Sequence, residues 1–154
     1  MLTEQEKLEI EEEIPRYETA RAVIPEALKI VQRRKGWVSD EDVRDVAAFL
    51  GAAPSEVEGI ATFYNVIYRR PVGRHVILIC DSVSCWIMGY ENVRDHLFRQ
   101  LGIVPGDTTV DNRFTLLPTA CLGACDRAPA MMVDEDLHGE LTPEKIDEIL
   151  KRYE

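Results

Sequence analysis

The chain has 154 residues, enough for one compact domain or for a small domain with a helical extension. Its formal net charge of -10 argues against binding to the phosphate backbone of nucleic acid or to an anionic membrane surface. Apolar residues make up 45% of the chain, an ordinary share for a folded protein, so global disorder is not expected.

The sequence contains no segment close to the roughly 20 apolar residues that cross a bilayer. The acidic N-terminal run MLTEQEKLEIEEE lacks the apolar core of a secretory signal, and it is not a transit peptide either. We therefore expect a cytoplasmic protein, which other subunits would hold at the membrane if it serves a membrane system.

Residues 1–70 have the periodicity of helices. A charged, helix-favouring run over 4–13 precedes three amphipathic segments that begin at Pro25, Ser39 and Pro54. Ser39 with Asp42 is typical of a capping pair, and Gly36 and Gly51 are placed as helix stops. The residues predicted to face a helical core are Ala27, Leu28, Val31, Val43, Val46, Ala47, Leu50, Val57, Ile60, Ala61 and Tyr64.

The pattern changes after a linker over 69–74. The run HVILIC, His75–Cys80, predicts a strand that is buried on both faces. A helix follows, with Tyr90, Val93, Leu97 and Leu101 on one face. A second strand is predicted over 114–117 and a hairpin over 131–133 and 137–141. A last helix is expected to begin at Thr142 and Pro143, with Ile146, Ile149, Leu150 and Tyr153 facing inward.

This order of elements predicts an α+β protein. We expect a helical domain over 1–70, which has no site of its own, and an α/β domain over 71–154. In the second domain helices pack against a small sheet.

The four cysteines are the strongest candidates for chemistry. Cys80 and Cys85 are separated by four residues, Cys121 and Cys125 by three, and both pairs are expected in loops after strands. In a reducing compartment such thiols are more often metal ligands or redox groups than disulfides. The wide spacing and the small neighbours Ser82, Ser84, Gly123 and Ala124 favour a two-iron cluster, while a structural zinc site stays open.

Other chemistry finds less support in the residues. Neither pair has the CxxC spacing of a thioredoxin-type dithiol. The sequence also shows no positioned partner that would let His75, His96 or His138 act as the general base for a cysteine nucleophile. The two common nucleotide-binding fingerprints, GxGxxG and GxxxxGK, are missing from the sequence. Asp81 and Asp126 each follow a cysteine, and a negative charge there would lower the potential of a cluster.

At these residues the sequence resembles the family of E-type [2Fe–2S] subunits of bacterial NADH:quinone oxidoreductase, the respiratory complex I. The stretches EALKIVQ, VEGIATFY, PVGRHVI and CDSVSC carry the resemblance beyond the cysteines. It therefore covers nearly the whole chain. The family signature is matched throughout, at Asp111, Phe114, Thr115, Cys121, Leu122, Gly123, Cys125, Ala128 and Pro129.

The resemblance implies a thioredoxin-like domain with one [2Fe–2S] cluster on Cys80, Cys85, Cys121 and Cys125, and no catalytic residue on this chain. It also implies a partner, the F-type flavoprotein subunit, which binds NADH, FMN and a [4Fe–4S] cluster. Subunits of the same type serve NAD-linked hydrogenases and formate dehydrogenases, so these hosts stay open as alternatives. A structural zinc module is the alternative from a different class.

Overall fold

The computed structural model describes residues 1–153 and divides the chain into two compact units, with the boundary between Pro71 and Val72. Within residues 1–153 no helix is both long and apolar enough to cross a membrane.

The first unit is built from four helices, α1 (Glu4–Glu13), α2 (Ile24–Lys35), α3 (Asp40–Leu50) and α4 (Pro54–Phe63). Short 3-10 turns over Ile14–Arg16 and Ala20–Val23 join α1 to α2. The apolar stripes of the helices meet in one core, whose fully buried members include Ile10, Leu28, Val46, Val57 and Ala61. Truncation of a side chain such as Leu28 to alanine costs about 2–5 kcal/mol in cores of this kind.

The helix ends follow local chemistry. Thr3 and Glu6 form a capping box before α1, and Ser39 and Asp42 form one before α3. Gly36 closes α2 at φ 81°, in the left-handed region that glycine enters without a steric penalty. The predicted capping pair and this predicted stop are confirmed. One inward assignment was wrong: Tyr64 follows the last residue of α4 and is 42% exposed.

The second unit contains a four-stranded sheet in the order β2-β1-β3-β4. The strands are β1 (His75–Cys80), β2 (Phe114–Thr119), β3 (Met131–Val133) and β4 (Asp136–His138). β1 pairs parallel with β2 and antiparallel with β3, and β3 pairs antiparallel with β4. A mixed sheet preceded by helices confirms the predicted α+β class.

Over residues 72–153 this unit contains three helices: α5 (Val83–Ile87), α6 (Tyr90–Leu101) and α7 (Pro143–Leu150). A 3-10 turn over Lys151–Tyr153 follows α7. The core between sheet and helices includes the fully buried Ile77, Leu97, Phe114, Met131 and Ile146. The last five residues of β1 are buried, as its continuous apolar run predicts.

Candidate metal centre

The parallel pairing of β1 and β2 brings two of the cysteines to one edge of the sheet. Cys80 is the last residue of β1 and is buried, and Cys121 lies two residues beyond the end of β2. The register pairs Cys80 with Thr119, and the thiol of Cys80 lies 3.8 Å from the carbonyl oxygen of Ala120. Because carboxyl ends of parallel neighbours meet at one edge, Cys80 and the Cys121 loop are adjacent.

Cys85 lies inside helix α5, so its predicted position in a loop was wrong. The helix starts after Ser82, whose carbonyl oxygen accepts from the N–H of Trp86 at 2.8 Å. A helix of five residues is too short to show an apolar period, and its serine, Ser84, was interpreted as a loop residue. The helical turn folds Cys85 back, so that its thiol is close enough to Cys80 for the two to interact electrostatically.

Burial controls the protonation of this inner thiol. Loss of solvent around Cys85 raises its pKa to about 11, and the neighbouring Cys80 and Cys125 add to the shift. The backbone N–H of Ala130 acts in the opposite direction because it donates to the sulfur and favours the thiolate. Burial therefore favours the protonated thiol of Cys85 over its thiolate.

Cys121 and Cys125 form the exposed half of the group. Gly123 between them has a φ of 73°, and its N–H donates to the Sγ of Cys121 at 3.3 Å. Cys125 begins a 3-10 turn that ends at Arg127. The expected loop position is confirmed for Cys121, and Cys125 lies in a single short turn.

The rest of the second unit supports these loops. The N–H of Cys80 donates to the carbonyl oxygen of Ala130 at 3.2 Å, which ties β1 to the segment after Cys125. The N–H of Glu140 donates to the carbonyl oxygen of Arg127, where Gly139 leaves no room for a side chain. Cys80 and Cys85 are thus buried in a small apolar cluster with Ala124, Ala128 and Ala130.

The donor set fits a two-iron cluster. Four cysteine sulfurs match the soft ligands that such clusters take, two thiolates to each iron. Within residues 1–153 no group of three or more His, Cys, Asp or Glu side chains lies close enough together to hold a metal ion, and this holds for the four cysteines as well. Two of the histidines are engaged elsewhere, His75 with Asp134 and His96 with Asp147, each at 2.7 Å.

The family of the chain follows from a sequence profile described as "Thioredoxin-like [2Fe-2S] ferredoxin", which matches residues 10–154. The chain belongs to this thioredoxin-like [2Fe-2S] ferredoxin family. The match confirms the thioredoxin-like fold that the resemblance implies.

The sequence of this ferredoxin aligns with curated relatives over nearly its whole length. The E-type subunit of the NADH-quinone oxidoreductase of Escherichia coli K12 is 55% identical over 152 residues, which are 99% of this chain and 92% of that protein. The protein of the same name from Pseudomonas aeruginosa is 50% identical over 153 residues, with the same coverage of both chains. The resemblance to the E-type subunits is thereby confirmed.

A solved structure of NAD+-reducing [NiFe]-hydrogenase in its H2-reduced state is also similar. It superposes with a TM-score of 0.68 at 25% identity, covering 82% of this chain. The chain spans only 22% of that hydrogenase chain.

The signature residues before the cysteines serve the fold of this ferredoxin. Asp111 accepts from the hydroxyl of Thr109 at 2.6 Å and from the N–H of Arg113 at 3.0 Å, and so shapes the turn before β2. These bonds lower the pKa of Asp111, the hydroxyl contributing most. Phe114 is fully buried, and the hydroxyl of Thr115 accepts from the N–H of Gly73 at 2.6 Å.

An exposed apolar surface lies next to Cys85 and was not predicted from the sequence. Val83, Trp86, Ile87 and Met88 are all at least 59% exposed, although the cysteine between them is buried. We call these four residues the α5 patch. Contiguous exposed apolar side chains are characteristic of surfaces that contact another protein. The signal in the sequence was a run of apolar residues around a ligand candidate, which could equally have been core.

Proposed function

We propose that the chain is the electron-transfer subunit of an NADH:quinone oxidoreductase and holds one [2Fe–2S] cluster on Cys80, Cys85, Cys121 and Cys125. The observation that carries the proposal is the convergence of the two cysteine segments at the carboxyl edge of β1 and β2. The identity of 55% to an E-type subunit over 99% of the chain supports the choice of host.

The cluster, when bound, supplies a one-electron carrier, and the residues of the chain set its surroundings. The buried pair Cys80 and Cys85 fixes one side in an apolar environment. The exposed pair, with the N–H of Gly123 on the sulfur of Cys121, forms the side nearest to solvent. Donors to the sulfur stabilise added negative charge and so raise the potential. No residue of the chain is assigned a catalytic role.

The partner we propose is the F-type flavoprotein subunit, which carries NADH, FMN and a [4Fe–4S] cluster, together with other peripheral subunits of the complex. The α5 patch supports this proposal because it puts exposed apolar side chains next to Cys85. The helical domain over 1–70 contributes no ligand in this scheme and acts as an assembly surface. Membrane association is peripheral and passes through the complex.

An NAD-linked hydrogenase is the second candidate host. The similarity to NAD+-reducing [NiFe]-hydrogenase favours it, since the TM-score is 0.68 over 82% of the chain. The identity there is 25%, against 55% for the E. coli relative, and this difference ranks the hosts. Purification of the tagged chain under native conditions separates the two hosts through its accompanying subunits.

Metal and sulfide analysis tests the cluster against structural zinc. We expect two irons and two acid-labile sulfides for each chain, with visible absorption. Cys121→Ser should lose most of both because an oxygen ligand is a poor replacement for thiolate. Ser84→Ala, next to Cys85, serves as the matched control and should keep them. Full iron and sulfide in Cys121→Ser, or zinc in the untreated protein, would refute the assignment.

A further inference from the structure

The two faces of the sheet in the second unit carry different side chains. Ile77 and Ile79 of β1 belong to the core that α6 and α7 share with the sheet. Because side chains alternate along a strand, Leu78 and Cys80 lie on the opposite face. Both of these residues are buried. The buried Cys80 therefore lies on the face turned away from α6 and α7, where other side chains must shield it from water.

The register of the antiparallel strands brings Leu137 to the same face. Leu78 pairs with Met132 of β3, and Met132 pairs with Leu137 of β4. Residues directly opposite each other in antiparallel strands have their side chains on one face. Leu137 is half-buried and packs against the apolar cluster that contains Cys80 and Cys85. Since β4 is the outermost strand, one side of Leu137 contacts this cluster and the other side contacts solvent.

Leu122 packs against the same cluster from the loop that follows β2. It lies between Cys121 and Gly123 and is also half-buried. The cluster would be poorly filled without large side chains at its border, because an alanine methyl group extends little beyond the backbone. Among residues 1–153 the buried residues beside the two cysteines in this cluster are Ala124, Ala128 and Ala130. We call Leu122 and Leu137 the leucine cover.

We propose that the leucine cover keeps water away from the sulfurs of Cys80 and Cys85 and thereby holds the reduction potential of the cluster low. Reduction by an external one-electron donor adds negative charge beside these sulfurs, and no bond at either leucine forms or breaks. Water would stabilise the added charge by donating hydrogen bonds to sulfur, and solvent exposure is one of the factors that set the potential of iron–sulfur clusters. The inference rests on the proposed [2Fe–2S] function and assigns a further role to two residues that are not ligands.

Redox titration of the full-length protein, followed by electron paramagnetic resonance, measures this effect. Leu137→Ala and Leu122→Ala should each raise the potential, because truncation opens a path for water to the buried sulfurs. Leu137→Met retains an apolar side chain of similar volume and should leave the potential at the value of the parent chain. The loop position of Leu122 keeps the test valid if truncation of Leu137 disturbs the pairing of β4.

Leu101→Ala is the matched control. Leu101 is also half-buried, but it packs against the core between the sheet and its helices rather than against the cysteines. The same truncation should destabilise the fold comparably while the potential stays unchanged. A potential that rises equally in Leu101→Ala would show that general loosening of the fold, and not the leucine cover, is responsible.

Alkylation by iodoacetamide in the cluster-free full chain measures the access of solvent without any metal. Cys80 and Cys85 should react about tenfold faster in Leu137→Ala than in the parent chain, since a cavity in the cover favours its local opening. Leu101→Ala should react at the parent rate. Unchanged potentials or unchanged alkylation in both cover variants would overturn the inference. Absence of iron and sulfide from the parent protein would instead refute the proposed function, and the alkylation rates would then decide whether the leucines cover the cysteines.

Discussion

The N–H of Gly123 lies 3.3 Å from the Sγ of Cys121, and Gly123 makes this contact at a φ of 73°. This conformation is accessible to glycine without the clash that a Cβ introduces. The glycine of the signature therefore does two things at once. It turns the chain between two proposed ligands, and it supplies a hydrogen-bond donor to the more exposed sulfur.

Gly123→Ala should lower the reduction potential of the cluster. The added Cβ disfavours the left-handed conformation and weakens the hydrogen bond to Cys121, so the reduced cluster loses stabilisation. A hydrogen bond of about 0.5–1.5 kcal/mol corresponds to a shift of roughly 20–60 mV for one electron. A redox titration followed by electron paramagnetic resonance measures the shift.

Gly102→Ala is the control for this substitution. Gly102 ends α6 at a φ of 69° and has open space around its Cα, so it carries the same conformational strain away from the cysteines. Both variants should lose about 1 kcal/mol of stability, while the potential changes in Gly123→Ala alone. An equal potential in Gly123→Ala and the parent chain would remove the electrostatic role of this N–H.

Ile87→Asp should weaken binding of the flavoprotein partner without disturbing the fold. Ile87 is 70% exposed in the α5 patch, so a charge there costs little in the free chain and is buried in a complex. We expect at least a tenfold loss of affinity, measured by calorimetry with the purified partner. Val110→Asp, at a fully exposed position far from the cysteines, is the matched control. Equal affinities for both variants would show that the patch is not the docking surface.

Gly139→Ala should reduce cluster occupancy through a steric effect. A Cβ at Gly139 would lie 2.6 Å from the Cβ of Arg127 and 2.7 Å from its carbonyl oxygen, so the turn that begins at Cys125 must shift. We expect a stability loss of about 1–3 kcal/mol and less iron for each chain. Gly59→Ala, where α4 leaves open space, should instead gain up to about 1 kcal/mol. Full iron content with unchanged thermal stability in Gly139→Ala would contradict this account.

Lowering the pH should reduce the free energy of unfolding of the first unit, because Asp42 then loses its charge. Burial disfavours the charge of this carboxylate, but bonds from Lys35 and Ser39 outweigh it and hold the pKa of Asp42 below its ordinary value. The distance from Nζ of Lys35 to Oδ2 of Asp42 is 2.6 Å. Because the folded pKa is depressed, the unfolded chain binds more protons as the pH falls. The stabilisation is complete above the ordinary carboxyl pKa of about 4 and disappears as the pH passes through the folded pKa.

Asp42→Asn tests this linkage. The variant should unfold at lower urea concentration than the parent chain at pH 7, and the difference should shrink as the pH falls below about 4. Glu12→Gln, at an exposed position of α1, is the control and should show no such dependence. A difference that stays constant with pH would mean that Asp42 acts through packing rather than through its charge.

The elements that the sequence predicts well are those whose signal is local. Pro25, Gly36 and the pair Ser39 and Asp42 bound helices through their own backbone chemistry, and β1 is apolar because both faces are covered. Helix α5 was missed because five residues contain less than two turns of the apolar period. Its exposed Ile87 could not be told from a core residue without the sheet in place.

Contacts between residues that are far apart in the sequence could not be predicted, because they depend on how the elements pack. His96 was interpreted as a polar-face residue, yet it is buried and paired with Asp147, which lies 51 residues further along the chain. The packing of Leu137 against the cysteines likewise depends on the register that places β3 between β1 and β4. The sequence identifies the four cysteines as candidates, and the parallel register of β1 and β2 explains why the two cysteine segments lie together.

Low-temperature electron paramagnetic resonance of the anaerobically purified protein, reduced with dithionite, tests the central claim most directly. A [2Fe–2S] cluster on the four cysteines predicts one S = 1/2 signal that accounts for about one spin per chain and persists at comparatively high temperature. Cys121→Ser should abolish or change it, and Ser84→Ala should not. A silent sample without visible absorption before reduction would contradict the account and indicate zinc or bare thiols instead.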